Sequence, residues 1–451
     1  MRYVGDPFVD TGIAVLEHRI QKPCGEFSDN DLLAEGDRLA GTYSQKQWKG
    51  ILTFHFPNSG WTNPNMGDAK VAEFREKVLR GFRLPADPER RCEYCGRSAQ
   101  IVVDGSVIPL ASGAGSMDCG AGGQPGFAVC GYCLFALQFY PLASLKVEGK
   151  ALFWWSHDRD WLFLLSGIAI RHVGKFLAAS PSGDVKARFP GSRLLTVARE
   201  AFEVWYCERD RIPLRDIVGC HSSNYRTAPE FDEMRIPREL LQFWQEAASG
   251  FSSLYDALVS SAWQNTARAK SKRAKKDDDN EWNRRNAFYE SLGAAFRAED
   301  FRSDALAIAR KYFLQINENL QQHGRFGLAC LFLERMAGMT KIRIDAIRQI
   351  ADQIASSSEG KRILDRLIKG KGPIDAFLYA QIRMSRAGEP PLSLDKVLCA
   401  LDLLSEDDSP SKEAWLVRDL IVLRIIEQMG QTALNELPEF PLESITTEGA
   451  N

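Results

Sequence analysis

Four cysteines stand in two pairs of equal spacing, Cys92 and Cys95 in "CEYC" and Cys130 and Cys133 in "CGYC". Thiolates are soft ligands that suit tetrahedral zinc, and two C-x2-C turns, each donating two sulfurs, close a four-coordinate site. Gly96, just after the first pair, and Gly131, inside the second, fit the tight turns of zinc knuckles. The expectation is Zn2+ held by Cys92, Cys95, Cys130 and Cys133. A shell of four sulfurs leaves no position for substrate or water, so the expected ion is structural. Cys119 lies between the pairs and could replace one ligand, but as a lone loop cysteine it reads as a bystander. A nucleobase deaminase needs H-x-E ahead of P-C-x-x-C. Arg91 precedes Cys92, and neither His18 nor His55 opens H-x-E.

Other catalytic patterns are sparse. "GAGSMDCGAGG" is neither a dinucleotide fingerprint nor a Walker loop, and reads as a Gly-rich tongue. The six histidines are isolated, with no H-E-x-x-H pattern, and G-x-S-x-G is also missing. "HDRD" at His157 to Asp160 is expected to cap the helix that follows, through Asp158 or Asp160.

Two stretches could touch nucleic acid. The loop "NSGWTNPNM" offers Asn58, Ser59, Trp61, Asn63 and Asn65: amides can read base edges, and an aromatic can stack on bases or wedge between them. The same residues also suit an Asx-turn loop around a packed tryptophan. Lys270, Lys272, Arg273, Lys275 and Lys276 form a basic run that could track phosphates. Asp277 to Asp279 follow at once, as they would in a solvated linker.

The chain has 451 residues, 45% hydrophobic and 26% charged, with a net charge of −2. That is an ordinary soluble composition with room for two or three domains, and any basic face must be local. No signal peptide is visible at the N-terminus. "WLFLLSGIAI" is shorter than the ~18 apolar residues a bilayer requires and reads as a buried helix, so no membrane is expected. Ten cysteines without a secretory signal favour reduced thiols and metal binding, hence a cytoplasmic protein.

The elements that must position these residues are mixed. Asp6 and Pro7 start a helix in which Val9, Ile13, Leu16 and Ile20 recur at helical spacing, and a second helix follows Ser28. "GILTFHF" is a strand or short helix running into the amide loop. "DAKVAEFREKVLRGF" is an amphipathic helix with Val71, Phe74, Val78 and Phe82 on one face. Hairpins are expected at Asp104-Gly105 and at Glu148-Gly149, and two strands in "DIVGCHSSNYRTAPEFDEMRIP". From about residue 283 only helical patterns remain. The expected fold is α+β: an α/β domain over 1–262 with a zinc insert at 90–135, a charged linker over 263–282, and an all-α bundle over 283–451.

Three landmarks together resemble one family. They are "GDPFVDTGIAVL", the "FHFPNSGWTNPNM" loop and the twin C-x2-C insert, with a weaker echo in "GCHSSNYRTAPEFDEMRIP". They resemble the large subunit of a type I CRISPR interference complex (Cascade), in its zinc-containing, type I-B-like branch, over roughly residues 1–240. The resemblance implies a non-catalytic, antiviral role. Such a subunit holds the 5′ handle of the crRNA and recognises the motif beside the target in double-stranded DNA (the PAM). It opens the duplex, and it docks a helicase-nuclease or a transposition machinery. It further implies backbone and small subunits as partners, duplex contact through Asn58, Ser59, Trp61, Asn63 and Asn65, and a bundle that resembles the small subunit. In related systems that bundle is also made from an internal start, for which Met336 and Met339 are candidates. A zinc-dependent nuclease and a protein-interaction scaffold that touches no nucleic acid are the alternatives.

Overall fold

The computed structural model describes residues 1–103, 106–110, 127–179, 186–209, 215–224, 229–264, 281–314, 323–370, 372–401 and 410–430. It is an α+β protein with a large helical part, and it divides into two compact units, 1–241 with 262–297, and 242–261 with 298–451.

The first unit opens with α1 (Pro7–Ile20), α2 (Asp29–Tyr43), α3 (Lys46–His55) and α4 (Asp68–Arg80). The Asp6 carboxylate caps α1 by accepting from the N–H groups of Phe8 and Val9, and Ser28 with Asp31 forms a capping box on α2. Short strands follow: β1 (Asp87–Arg91), β2 (Ser98–Ala99), β3 (Ile101–Val103) and β4 (Phe127–Val129), and then α5 (Gly131–Leu137). The expected hairpin at Asp104-Gly105 does not form. Those two residues lie outside the described ones, 106–110 are in turns, and β3 pairs with β4 instead. An Asp-Gly turn between β-prone runs suggests a local partner, whereas β4 leads directly into Cys130 and the second cysteine pair.

The main sheet is antiparallel in the order β5–β6–β7–β8, with β5 (Leu145–Val147), β6 (Lys150–Trp155), β7 (Ile217–Ser223) and β8 (Glu230–Ile236). Glu148 and Gly149 take positive φ in the predicted β5–β6 turn. The central strands β6 and β7 are buried on both faces apart from Lys150. The Trp154 indole donates to the Leu194 carbonyl at 3.1 Å, and Thr11 of α1 donates to the Trp154 carbonyl. The edge strand β8 shows mostly charged residues to solvent, as edges do.

Between β6 and β7 run α6 (Arg159–Ala179) and α7 (Pro190–Arg209). The Asp158 carboxylate caps α6 by accepting from the Trp161 N–H. Among the described residues α6 is the one helix long and apolar enough to cross a membrane by length and composition. It packs on α1, α7 and the sheet, with Trp161, Leu165 and Ile168 fully buried.

The boundaries differ from the expected ones. α8 (Arg238–Gly250) and α9 (Ser252–Ser261) belong to the second unit from residue 242 onward. There Phe243 packs edge-on against Tyr255 and Phe332. The chain then returns: β9 (Trp263–Gln264), at the start of the expected linker, pairs antiparallel with β10 (Arg285–Asn286), just beyond its end, in a hairpin within the first unit. The buried Arg193 guanidinium fixes that hairpin by donating to the carbonyls of Glu281 and Arg284, both at 2.8 Å. α10 (Ala287–Ala295), expected as the first bundle helix, crosses α7 where Gly191 meets Gly293 and belongs to the first unit. Charge and helical patterning mark exposure and helix, and neither says which unit claims a segment.

The second unit continues with α11 (Phe301–Ile308), α12 (Arg325–Ala337), α13 (Lys341–Ser356), α14 (Gly360–Lys369), α15 (Pro373–Arg386), α16 (Leu394–Leu401) and α17 (Pro410–Met429). α13 packs on α16 and α17, and Phe313 stacks on Phe332 at 4.6 Å. Met336 and Met339 are both buried.

Candidate metal centre and candidate nucleic-acid interface

Cys92 leaves β1 into a tight turn. Its N–H donates to the Arg97 carbonyl at 2.7 Å, and its carbonyl accepts from Gly96, whose φ of +71° favours glycine. The second pair sits on α5: Cys130 is the N-cap, and its sulfur accepts from the Cys133 N–H at 3.4 Å. Two cross-links register the turns against each other, from Glu93 N–H to the Ala128 carbonyl and from Gln100 N–H to the Val129 carbonyl. The four sulfurs lie within 4.8 Å of one another, with Cys95 and Cys130 3.5 Å apart. Four sulfurs ~2.3 Å from one ion form a tetrahedron with edges of roughly 3.8 Å, so the cluster fits a single metal. Hydrogen bonds with Cys130 and Cys133 hold the Cys92 thiol far below its usual range, while those with Cys130 and Cys92, reinforced by burial, push Cys133 far above it. Cys119 lies outside the described residues.

This centre is not a free-standing insert. Leu134, Phe135 and Leu137 of α5 have no exposure, and a Cβ on Gly131 would strike the Gly81–Phe82 backbone at 2.0 Å. Arg2 reaches over from the N-terminus to donate to the Cys95 carbonyl at 3.0 Å. The knuckles are therefore joined to the core through α5.

The amide loop divides into an inside and an outside. Ser59 (1% exposed) and Trp61 (5%) are interior residues, which corrects their expected place on a contact surface. The Trp61 indole donates to Gln138 at 2.9 Å and meets Tyr43 and Phe74 edge to face. The hydroxyls of Ser59 and Thr62 both donate to the Phe56 carbonyl at 2.8 Å. Asn63 accepts from the Asn65 N–H in an Asx turn. Asn58 and Asn65 face solvent and Asn63 is half-buried, so the structure brings three amides to the outside of a braced loop. Lys270, Lys272, Arg273, Lys275 and Lys276 lie outside the described residues. Reading the whole-chain charge alone missed a local feature: residues 46–97 carry ten Lys and Arg against six Asp and Glu. A windowed count would have found it.

Behind the loop the His55 ring meets the Tyr140 hydroxyl at 2.6 Å, and Asn224 donates to the His55 carbonyl. Burial lowers the His55 pKa to about 3. An unfolded histidine titrates near 6.5, so between about pH 3 and 6.5 the unfolded chain binds the extra proton. Stability from this group is complete above pH 6.5 and is lost as the pH falls toward 3. Between pH 7 and 4.5 urea unfolding should show a loss of about 2.5 kcal/mol from this group. That increment should disappear in His55→Gln, and an equal acid loss in both proteins would contradict it.

Comparison with protein-family models, curated proteins and solved structures finds no match to this chain. Among the described residues the four thiols are the one group of three or more potential ligands placed to hold a metal ion.

Proposed function

We propose that the chain is the non-catalytic large subunit of a type I CRISPR RNA-guided surveillance complex, acting in the cytoplasm in antiviral defence, with a structural Zn2+ at Cys92, Cys95, Cys130 and Cys133. In this reading it contacts the 5′ handle of the crRNA, recognises the PAM, helps open the duplex and recruits the helicase-nuclease or transposition proteins, alongside backbone and small subunits. The observation that supports it best is the braced loop. Asn58, Asn63 and Asn65 project from a frame fixed by buried Ser59 and Trp61, in a segment rich in Lys and Arg. Rigid amides can discriminate base edges, and surrounding cations supply affinity without sequence preference. Zinc is assigned from the donor set, since four closely spaced thiolates favour a soft, tetrahedral ion.

Asn63→Ala with Asn65→Ala in the assembled complex should narrow the affinity gap between DNA with correct and incorrect flanking motifs by about 1–3 kcal/mol. A uniform loss on all sequences would assign the loop to the backbone. PAM-independent binding with or without this subunit would overturn the function. A scaffold reading has one observation of its own: Ile374, Leu378 and Ile382 form an exposed apolar stripe along α15. Salt-insensitive capture of a protein, with no nucleic acid in the purified complex, would favour it.

A further inference from the structure

Lys146 on β5 extends its ammonium over the Phe54 ring of α3, 4.6 Å from the centroid. Gly50, one turn earlier, faces the same ammonium: a Cβ there would stand 4.0 Å from the Lys146 nitrogen, at ordinary contact distance. Lys186 lies beside it, since Val147 and Ala187 form a parallel bridge that places residues 146 and 186 next to each other. On the same face of α3, Lys46 stands one turn before Gly50, and Lys49 flanks that face beside it, both exposed. Among the described residues none of these four lysines is in an ion pair of the kind that engages Lys150 with Glu230 and Asp232. The acid nearest Lys146 in sequence, Glu148, accepts from the Phe189 N–H instead, and the acid nearest Lys186, Asp184, lies outside the described residues. Lys146 is half-buried, and its pKa is lowered by that burial and by the Lys186 charge. A half-buried ammonium facing another ammonium carries an electrostatic cost that an anion would remove.

We infer that Lys146 and Lys186, flanked by Lys46 and Lys49, form a phosphate-binding site that takes a phosphodiester of a nucleic-acid strand. Phe54, the floor of the site, stands four residues before Asn58 in the chain, at the end of α3 that leads into the amide loop. The ring of Phe54 gives the Lys146 head an apolar floor and leaves its upper side to the ligand. The choice of a nucleic-acid strand over a free polyphosphate rests on the function proposed above, while the phosphate site itself does not.

Two measurements on the full chain test it. Trace acylation read by mass spectrometry reports the reactivity of each lysine, with exposed Lys175 as the reference. Duplex DNA and inorganic tripolyphosphate should each protect Lys146 severalfold, and chloride at matched ionic strength should not. Lys146→Gln with Lys186→Gln should reduce the slope of log affinity for duplex DNA against log salt by about 1.8, two phosphate contacts' worth, while Lys175→Gln leaves it unchanged. No protection by either polyanion overturns the site, even if the complex reads its flanking motif. Protection by tripolyphosphate alone overturns the strand assignment. Protection by both, with the slope reduced but no motif discrimination in the complex, upholds the site and rejects the motif-reading function.

Discussion

Cys92→Ser combined with Cys130→Ser should unfold the first unit, beyond loosening a surface loop. Each pair loses one of its two sulfurs, so no four-coordinate site remains. Structural zinc in small domains contributes on the order of 10–16 kcal/mol, comparable to or larger than the ~5–15 kcal/mol that keeps a whole domain folded. The effect spreads because α5, which carries Cys130 and Cys133, is also the helix whose Leu134, Phe135 and Leu137 fill the core against α1 and α4. Elemental analysis should give one metal per wild-type chain and none in the variant. The variant should lose its cooperative melting transition or its solubility, and a strong chelator should produce the same loss in the wild type. A metal-free variant with wild-type melting would contradict the structural role.

Gly12→Ala should cost about 3 kcal/mol or more, at the upper end for overpacking. The added carbon would sit 1.9 Å from the Ala136 carbonyl oxygen, where α1 lies directly on α5. Neither backbone can yield, because Val9 and Ile13 on one helix and Leu134 and Leu137 on the other are fully buried. Gly41→Ala is the matched control. It lies in α2 with open space around the new carbon and should stabilise by about 0.5–1 kcal/mol, the helix preference of alanine over glycine. Urea unfolding separates the two, and equal midpoints would contradict the close approach of α1 to α5.

Much of this was legible in the sequence where the signal is local. The Asp6-Pro7 start of α1, the Ser28 cap, the Glu148-Gly149 turn and the Asp158 cap are all where short-range chemistry places them. The cysteine spacing anticipated the four-thiol cluster, because a C-x2-C turn fixes its own geometry. Features that depend on distant partners were not legible. Trp61 could have faced a base or the core, and Gln138, which accepts its indole N–H, stands 77 residues away. The gathering of Lys46, Lys146 and Lys186 requires α3, β5 and the stretch after α6 to be known in space. The strand expected just after Asp104-Gly105 shows the opposite failure: β3 pairs with β4, beyond residue 126, and 106–110 are in turns.

The chain passes between its two compact units at three places, after residues 241, 261 and 297. A junction crossed once can be cut and rejoined to a foreign partner in a single recombination event, and one crossed three times cannot. A message read from Met336 or Met339 would omit α8, α9, α11 and most of α12. It would therefore omit Phe243, Phe313 and Phe332, the rings packed at the heart of the bundle. In this chain the bundle is built from two separate stretches, 242–261 and 298–451, so a single cut before either of them does not release it whole.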